Sequence, residues 1–234
     1  MTDLSVPAGG ADPRIERLEN LYYGKYRGIV THNADPEQLG RLRLLVPSLF
    51  GGTFADGAAS DDNLVTDWAW PCLPAGGAAN QGELYIPEVG AKVWVEFEEG
   101  NLDCPIWVGT FWAKPGGESE LPKPNGPDGA ELGAVQGSDT EPPTRKIIKT
   151  KKGHTIQIED KDGEELILIV HNVDQNNRNV VLLDADGITL TDFTENQIAM
   201  SGSEFKLTSK VAFTIDASGQ AVEIKASTVD FTKA

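Results

Sequence analysis

The feature that most restricts the fold is a period of about two residues that runs from Arg145 to the end of the chain. Apolar side chains alternate there with polar or charged ones, which is typical of β-strands with one buried face. Turn residues such as Asp186-Gly187 and Ser218-Gly219 separate the strands. The predicted inward-facing groups are Ile156/Ile158, Ile167/Ile169, Val180/Leu182, Ile188/Leu190, Ile198/Met200, Phe205/Leu207, Val211/Phe213/Ile215, Val222/Ile224 and Val229/Phe231.

Repetition at this spacing is typical of a stacked β architecture. One chain supplies only one or two apolar side chains per strand, which is too few to enclose a dry core. Three copies around a common axis would complete that core and pair the strand edges. We therefore predict an intertwined trimeric β-helix over residues 145–234, with a monomeric β-sandwich or a single-chain β-solenoid as the alternative. The predicted trimer core is Ile188, Leu190, Ile198, Met200, Phe205, Leu207, Phe213, Ile215, Val222 and Ile224.

Residues 21–112 have the pattern of a second, different β unit. Val93, Val95 and Phe97 alternate with polar or amphipathic neighbours, which predicts a strand with one buried face. Five short strands joined by loops of unequal length suit a small Greek-key barrel such as the OB-fold. The fold class is therefore predicted to be all-β, with strands over residues 22–30, 39–46, 68–73, 91–97 and 106–111.

Two segments are too polar or too rich in Pro and Gly to form a core. Residues 1–20 are predicted to be an N-terminal arm without the apolar core of a signal peptide. Residues 113–144 are predicted to be a Pro/Gly-rich linker or extended wrap between the two units. No apolar run approaches the ~20 residues that span a bilayer.

The charge of the chain argues against nucleic acid as a partner. Lys and Arg number 20 and Asp and Glu 36, so the formal net charge is −16. Binding to phosphates requires basic side chains that displace counterions. An OB barrel could still stack bases on Trp94, Trp107 and Trp112, but its groove would need to be basic. We therefore expect no nucleic-acid binding.

The chain has few of the residues and motifs that are typical of catalytic or metal-binding sites. The three histidines, His32, His154 and His171, are scattered in sequence, and no nucleophile elbow or phosphate-binding loop is present. The acidic run of residues 159–165 lacks the spacing of a calcium loop and is read as a charged turn. We predict no enzyme activity, no metal and no cofactor. Whether Cys72 and Cys104 pair stays open, although reduced thiols are expected in the cytosol.

Several motifs together resemble one protein family. They are GKYRG at residues 24–28, Asp35-Pro36, GRLR at residues 40–43, Val46-Pro47, Trp68-Ala69 with Pro71, PEVG at residues 87–90 and KVWVEFEEGNLDCPIWVGTFW at residues 92–112. In this order they resemble the OB domain of baseplate assembly protein V and VgrG, the central spikes of contractile phage tails and injection systems. KTKKGHTIQIE at residues 149–159, with Asp162-Gly163, is similar to the entry into the spike helix of the same proteins.

The resemblance implies a structural protein that assembles in the bacterial cytoplasm and becomes part of a phage tail or phage-tail-like particle. Its partners would be two further copies, a trimeric hub protein, a PAAR-type tip protein and, in some systems, effector cargo. The target membrane would be met only on firing. Val229 and Phe231 are predicted to form the platform for the tip protein.

The chain departs from several relatives in this family. Only the Pro/Gly segment separates the barrel from the alternating region, so no lysozyme domain is expected between them. The chain is too short to contain its own hub, and its last histidine, His171, is too far from the end for a His-x-His iron tip. A tail adhesin that binds a receptor or glycan is the alternative function, and a hydrolase is the third.

Overall fold

The computed structural model describes residues 21–51, 64–133, 142–174 and 176–232. The predicted arm over residues 1–20 and part of the predicted linker lie outside them. The chain divides into two compact units, with the boundary between Glu120 and Leu121. No helix among the described residues is long and apolar enough to cross a membrane.

The first unit is a curled five-stranded sheet of the OB type. Its strand order is β2-β1-β4-β5-β3, antiparallel except where β3 runs parallel to β5. Isolated bridges join Leu42 to Ala69 and Leu45 to Val65, so the segment around β3 also pairs beside β2 and the sheet curls back on itself. The strands are β1 (Tyr26–His32), β2 (Arg43–Leu45), β3 (Trp70–Pro71), β4 (Lys92–Phe97) and β5 (Pro105–Thr110). A short helix α1 (Pro47–Phe50) follows β2, and 3₁₀ turns cover Glu98–Gly100 and Pro115–Gly117.

The alternation predicted for the fourth strand is confirmed. Val93 and Val95 are fully buried and Phe97 nearly so, while the intervening side chains are less buried. Trp107 is also part of this core, and its indole N–H donates to the carbonyl of Gly40 at 3.1 Å. The core members are Val30, Leu42, Leu44, Val46, Ala69, Val93, Val95, Phe97 and Trp107.

A buried ion pair near β2 was not predicted. Arg41 is only 8% exposed, and its guanidinium donates to the Asp35 carboxylate at 2.7 and 3.1 Å. The Arg41 guanidinium, together with backbone N–H groups of Glu37, Leu39 and Arg41, holds the pKa of Asp35 well below its usual range. Asp35 therefore orders the 35–41 turn as an ionised acceptor.

The second unit is a seven-stranded antiparallel meander. Each strand pairs with its neighbours in sequence, so the order across the sheet is β12-β11-β10-β9-β8-β7-β6. The strands are β6 (Arg145–Lys149), β7 (Thr155–Glu159), β8 (Leu166–Asn172), β9 (Arg178–Asp184), β10 (Gly187–Thr191), β11 (Gln197–Met200) and β12 (Phe205–Thr208). One chain thus accounts for all of the described strand pairing in residues 145–208. The intertwining of chains belongs to the proposal below.

Residues 121–133, here called the strap, pack on one face of this sheet. Pro124 is buried, and Asn125 exchanges two hydrogen bonds with the buried Gln157 amide at 2.8 and 3.0 Å. Thr155 donates its hydroxyl to the side-chain oxygen of Asn125 at 3.1 Å. Because these polar groups satisfy one another, the strap can be buried without an unpaired amide.

Candidate assembly surface

The register of the meander brings thirteen apolar side chains onto one face of the sheet, here called the apolar face. Cross-strand partners point to the same side, so the pairing defines two parallel rows across the strands. The first row is Ile158, Ile167, Leu183, Ile188, Met200 and Phe205. The second row is Ile148, Ile156, Ile169, Val181, Leu190, Ile198 and Leu207.

Ten of these side chains are exposed in the single chain, and the other three, Val181, Leu183 and Met200, are partly exposed. The exposed fraction is 37% for Ile188 and Leu190, 39% for Ile198 and 65% for Phe205, whereas residues of the barrel core are close to zero. A groove of about 760 Å³ is lined by members of the second row, among them Leu190, Ile198 and Leu207, together with Val211 and Phe213. Contiguous apolar patches of this extent on a protein surface mark interaction sites.

The opposite face of the sheet carries no comparable surface. Near β8 and β9 the strap covers Leu168, Val170 and Val180, all of which are buried. Further along the sheet this face presents polar side chains such as Thr189 and Thr191. The meander is therefore apolar and open on one side only.

Six predicted core residues, Ile188, Leu190, Ile198, Met200, Phe205 and Leu207, share the apolar face. The prediction that Val180 and Leu182 share it is wrong. They lie on the face of Leu168 and Val170, and Val181 and Leu183 take the predicted places. The run VVLL hides the period, because all four residues are apolar.

The remaining predicted residues lie in residues 209–232, here called the tail. Phe213, Ile215, Val222 and Ile224 are 55–66% exposed, Val229 is 49% and Phe231 is 92% exposed. The described tail contains no strand, and a single chain does not bring these side chains together. Burial of these side chains against other chains would also bury backbone N–H and C=O groups, which would then need hydrogen-bond partners.

A polar network connects the tail to the β10–β11 hairpin. Asp192 accepts hydrogen bonds from the backbone N–H groups of Thr194 and Asn196 at 2.8 and 2.9 Å and from the Asn196 amide. The side-chain oxygen of Asn196 in turn accepts from the backbone N–H of Lys210 at 2.8 Å. The Asn196 amide and the Thr194 hydroxyl lower the pKa of Asp192 to about 2.

The Asp192 network predicts a loss of stability in acid. Because the pKa of Asp192 is lower in the folded state than in the unfolded state, its contribution is complete above about pH 4 and is lost as the pH falls towards 2. Asp192→Ala should lower the melting temperature at pH 7, and the difference from the wild type should shrink between pH 4 and 2. Thermal unfolding followed by circular dichroism measures this, and a constant difference down to pH 2 would contradict it.

The tryptophans differ from the arrangement that base stacking needs. Trp107 is 2% exposed, so it cannot stack with a base. The Trp94 ring packs against Phe111 at 4.9 Å and under the Arg27 guanidinium at 5.7 Å. Of the three predicted candidates, only Trp112 is widely exposed, at 61%.

Residues distant in sequence meet in one place that the sequence did not indicate. The rings of His154 and His171 stack with centroids 4.9 Å apart, although the two histidines are 17 positions apart in the sequence and were expected to be scattered.

The other residues considered as reactive or metal-binding groups do not form a site. Cys72 and Cys104 are both free thiols. In the acidic run, Glu159, Asp160 and Glu164 form ion pairs with Arg145, Lys146 and Lys161. Among the described residues, no three or more His, Cys, Asp or Glu side chains cluster as metal ligands would.

Residues 26–112 match the family model of the Type VI secretion system/phage-baseplate injector OB domain. The match begins at the first residue of β1 and ends just beyond β5, and it confirms the resemblance found in the sequence of this unit. It does not extend into the meander. No curated protein matches the chain.

Proposed function

We propose, on the premise of an injector-family OB domain in residues 26–112, that this chain is the non-enzymatic central spike of a contractile phage tail or phage-tail-like injection system. The observation that carries the proposal is the apolar face. It presents two rows of apolar side chains, most of them exposed, on a sheet whose strands are already paired within the chain. Such a sheet can form one wall of a larger core without refolding. It needs only the apolar faces of other sheets to pack against.

The occupants of the apolar face are two further copies of this chain. The rows are only two side chains wide, about 7 Å along each strand, and extend across seven strands, about 30 Å. Two sheets of that width, stacked face to face, would leave both sides of a thin core open to water. Three sheets around one axis would close the core, so that every side chain of the two rows would be shielded from water.

The tail would complete the trimer below the walls. The tail forms no strand within one chain, and its Phe213, Ile215, Val222 and Ile224 are exposed. Strand pairing and packing across copies would bury these side chains and pair the backbone around them. The intertwined part of the predicted β-helix is therefore proposed for the tail, and the three-walled part for residues 145–208. The alternating polar residues would remain on the outside of the shaft, and the whole trimer would carry three times the charge of −16 of one chain.

The mechanical role follows from this arrangement. A shaft driven through an envelope must not unfold under load. Extracting one chain would break the strand pairing proposed for the tail and the apolar packing between the three walls at the same time. The barrel unit would attach the shaft to a separate trimeric hub. Val229 and Phe231 would form a dry platform for a PAAR-type tip protein, and cargo would travel with the complex.

Truncation after Ser218 separates assembly from tip binding. The shortened chain keeps the whole apolar face and Phe213, so we expect it to remain trimeric while losing affinity for a PAAR-type protein in a pull-down. Substitution of Phe231 by Ser in the full chain is the milder variant and should weaken the same interaction. Retained tip binding by the truncated trimer would refute the platform. Binding of the full trimer to target cells without any tip protein would favour the adhesin instead.

A further inference from the structure

The barrel unit contains a pocket that the spike role does not use. Its cavity of about 440 Å³ lies beside β1, β4 and the end of β5, and is called the basic pocket here. It is lined by Arg27, Lys92, Phe111, Ala113, Lys114, Pro115 and Gly116. A volume of this size accommodates one or two side chains of a ligand and lies within the range of small binding sites.

Two of the three cations that line the basic pocket have no ionic partner among the described residues. Lys92 forms an ion pair with Glu120. Neither Arg27 nor Lys114 has an ion pair or a hydrogen bond to its side chain within the described parts of the chain. Two free cations in one cavity are unusual in a chain with 36 acidic and 20 basic residues. A ligand that brings carboxylates would complement them.

The wall of the basic pocket is preformed. Glu120 accepts a hydrogen bond from the backbone N–H of Ala113 at 2.8 Å, and its own N–H donates to the carbonyl of Ala113 at 3.1 Å. The Lys92 ammonium donates to the same carboxylate and holds its pKa below the usual range. The segment 113–120 is thus tied back onto the barrel, so a ligand would not have to order it.

The rings of Trp94 and Phe111 restrain the side chain of Arg27. The Arg27 guanidinium lies 5.7 Å from the Trp94 ring centre and 5.6 Å from that of Phe111. Stacking on aromatic rings restrains the guanidinium plane without consuming its N–H donors. The donors remain available for a bidentate bond with a carboxylate.

We propose that the basic pocket is a docking site for a short peptide segment of a partner protein that carries a carboxylate next to an aromatic or aliphatic side chain. The carboxylate would bind Arg27 and Lys114, and the apolar side chain would pack on Phe111 and Pro115. The charge complementarity of the two free cations favours this ligand. A long polyanion is disfavoured, since the net charge of the whole chain is −16.

Calorimetric titration of the full chain with the blocked peptide acetyl-Asp-Phe-Asp-amide tests the proposal. We expect binding that is lost or weakened at least about tenfold with acetyl-Asn-Phe-Asn-amide, because the charge-assisted bonds are gone. Inorganic phosphate at the same concentration distinguishes a peptide site from a general anion site. Equal binding of phosphate and the acidic peptide would overturn the proposal.

Variants locate the binding. Arg27→Gln and Lys114→Gln should each weaken the acidic peptide about tenfold. Lys114 is exposed in a loop, so its substitution tests the site even if Arg27→Gln destabilises the barrel. The matched control is Lys25→Gln, which removes one positive charge just before β1, outside the basic pocket, where Lys25 forms an ion pair with Glu96. Unchanged binding in Lys114→Gln, or equal loss in Lys25→Gln, would contradict the site whatever the oligomeric state of the chain.

Discussion

Sedimentation equilibrium of the full chain is expected to give three times the 25.2 kDa mass of one chain. The trimer should also resist SDS without heating, because its dissociation exposes the whole apolar face of each copy to water. The largest effect should come from a charge in the centre of that face. Leu190→Asp would place three carboxylates in the closed core, and each buried ion costs several kcal/mol.

We therefore expect Leu190→Asp to be monomeric at micromolar concentration, with a rise of more than about a thousandfold in the dissociation constant. In one chain Leu190 is 37% exposed, so the meander itself should keep its circular dichroism spectrum. Thr189→Asp is the matched control, since it introduces the same charge at the adjacent position on the opposite face. A wild-type chain that stays monomeric would end the trimer proposal. Equal dissociation in the two variants would show that the apolar face is not the contact that holds the trimer together.

The second large effect is expected from Gly187→Ala. Gly187 starts β10 with φ of +137°, and an added Cβ would lie 2.0 Å from the carbonyl oxygen of Met200 in β11. Backbone strain of about 1–3 kcal/mol would add to a forced separation of two strands. We expect a total loss of at least about 4 kcal/mol in the free energy of unfolding, or no soluble protein.

Gly163→Ala is the control for this second effect. Gly163 also has a positive φ, +79°, but nothing lies within 4 Å of an added Cβ. Its substitution should cost only about 1–2 kcal/mol through backbone conformation. Chemical denaturation of both variants measures the difference. A similar stability for the two would show that the contact with Met200 relaxes without disturbing the β10–β11 pairing.

Strand alternation predicted the buried face correctly where apolar and polar residues strictly alternate along the strand. Val93, Val95 and Phe97 were predicted on one face, and they are buried there. Alternation failed for Val180 and Leu182, because a run of four apolar residues contains no polar neighbour to define the face. Alternation also gave no sign that Arg41 is buried, because its burial depends on the ion pair with Asp35.

The strap and the basic pocket lay beyond what the sequence pattern could predict. A Pro/Gly-rich composition describes residues 121–133 well, but does not reveal that Asn125 matches the Gln157 amide. Likewise Arg27, Lys92 and Lys114 are separated by many residues and meet only when the barrel curls. Both features depend on contacts between distant segments, which period and composition do not encode.

The neighbour-to-neighbour order of the seven strands has a kinetic consequence. Contacts between sequence neighbours keep the contact order low, so each wall can form rapidly as the polypeptide leaves the ribosome. If three copies assemble as proposed, their encounter would be the slow, concentration-dependent step. Until that encounter, each newly made chain would expose its apolar face, and the rate of synthesis would decide between productive assembly and aggregation.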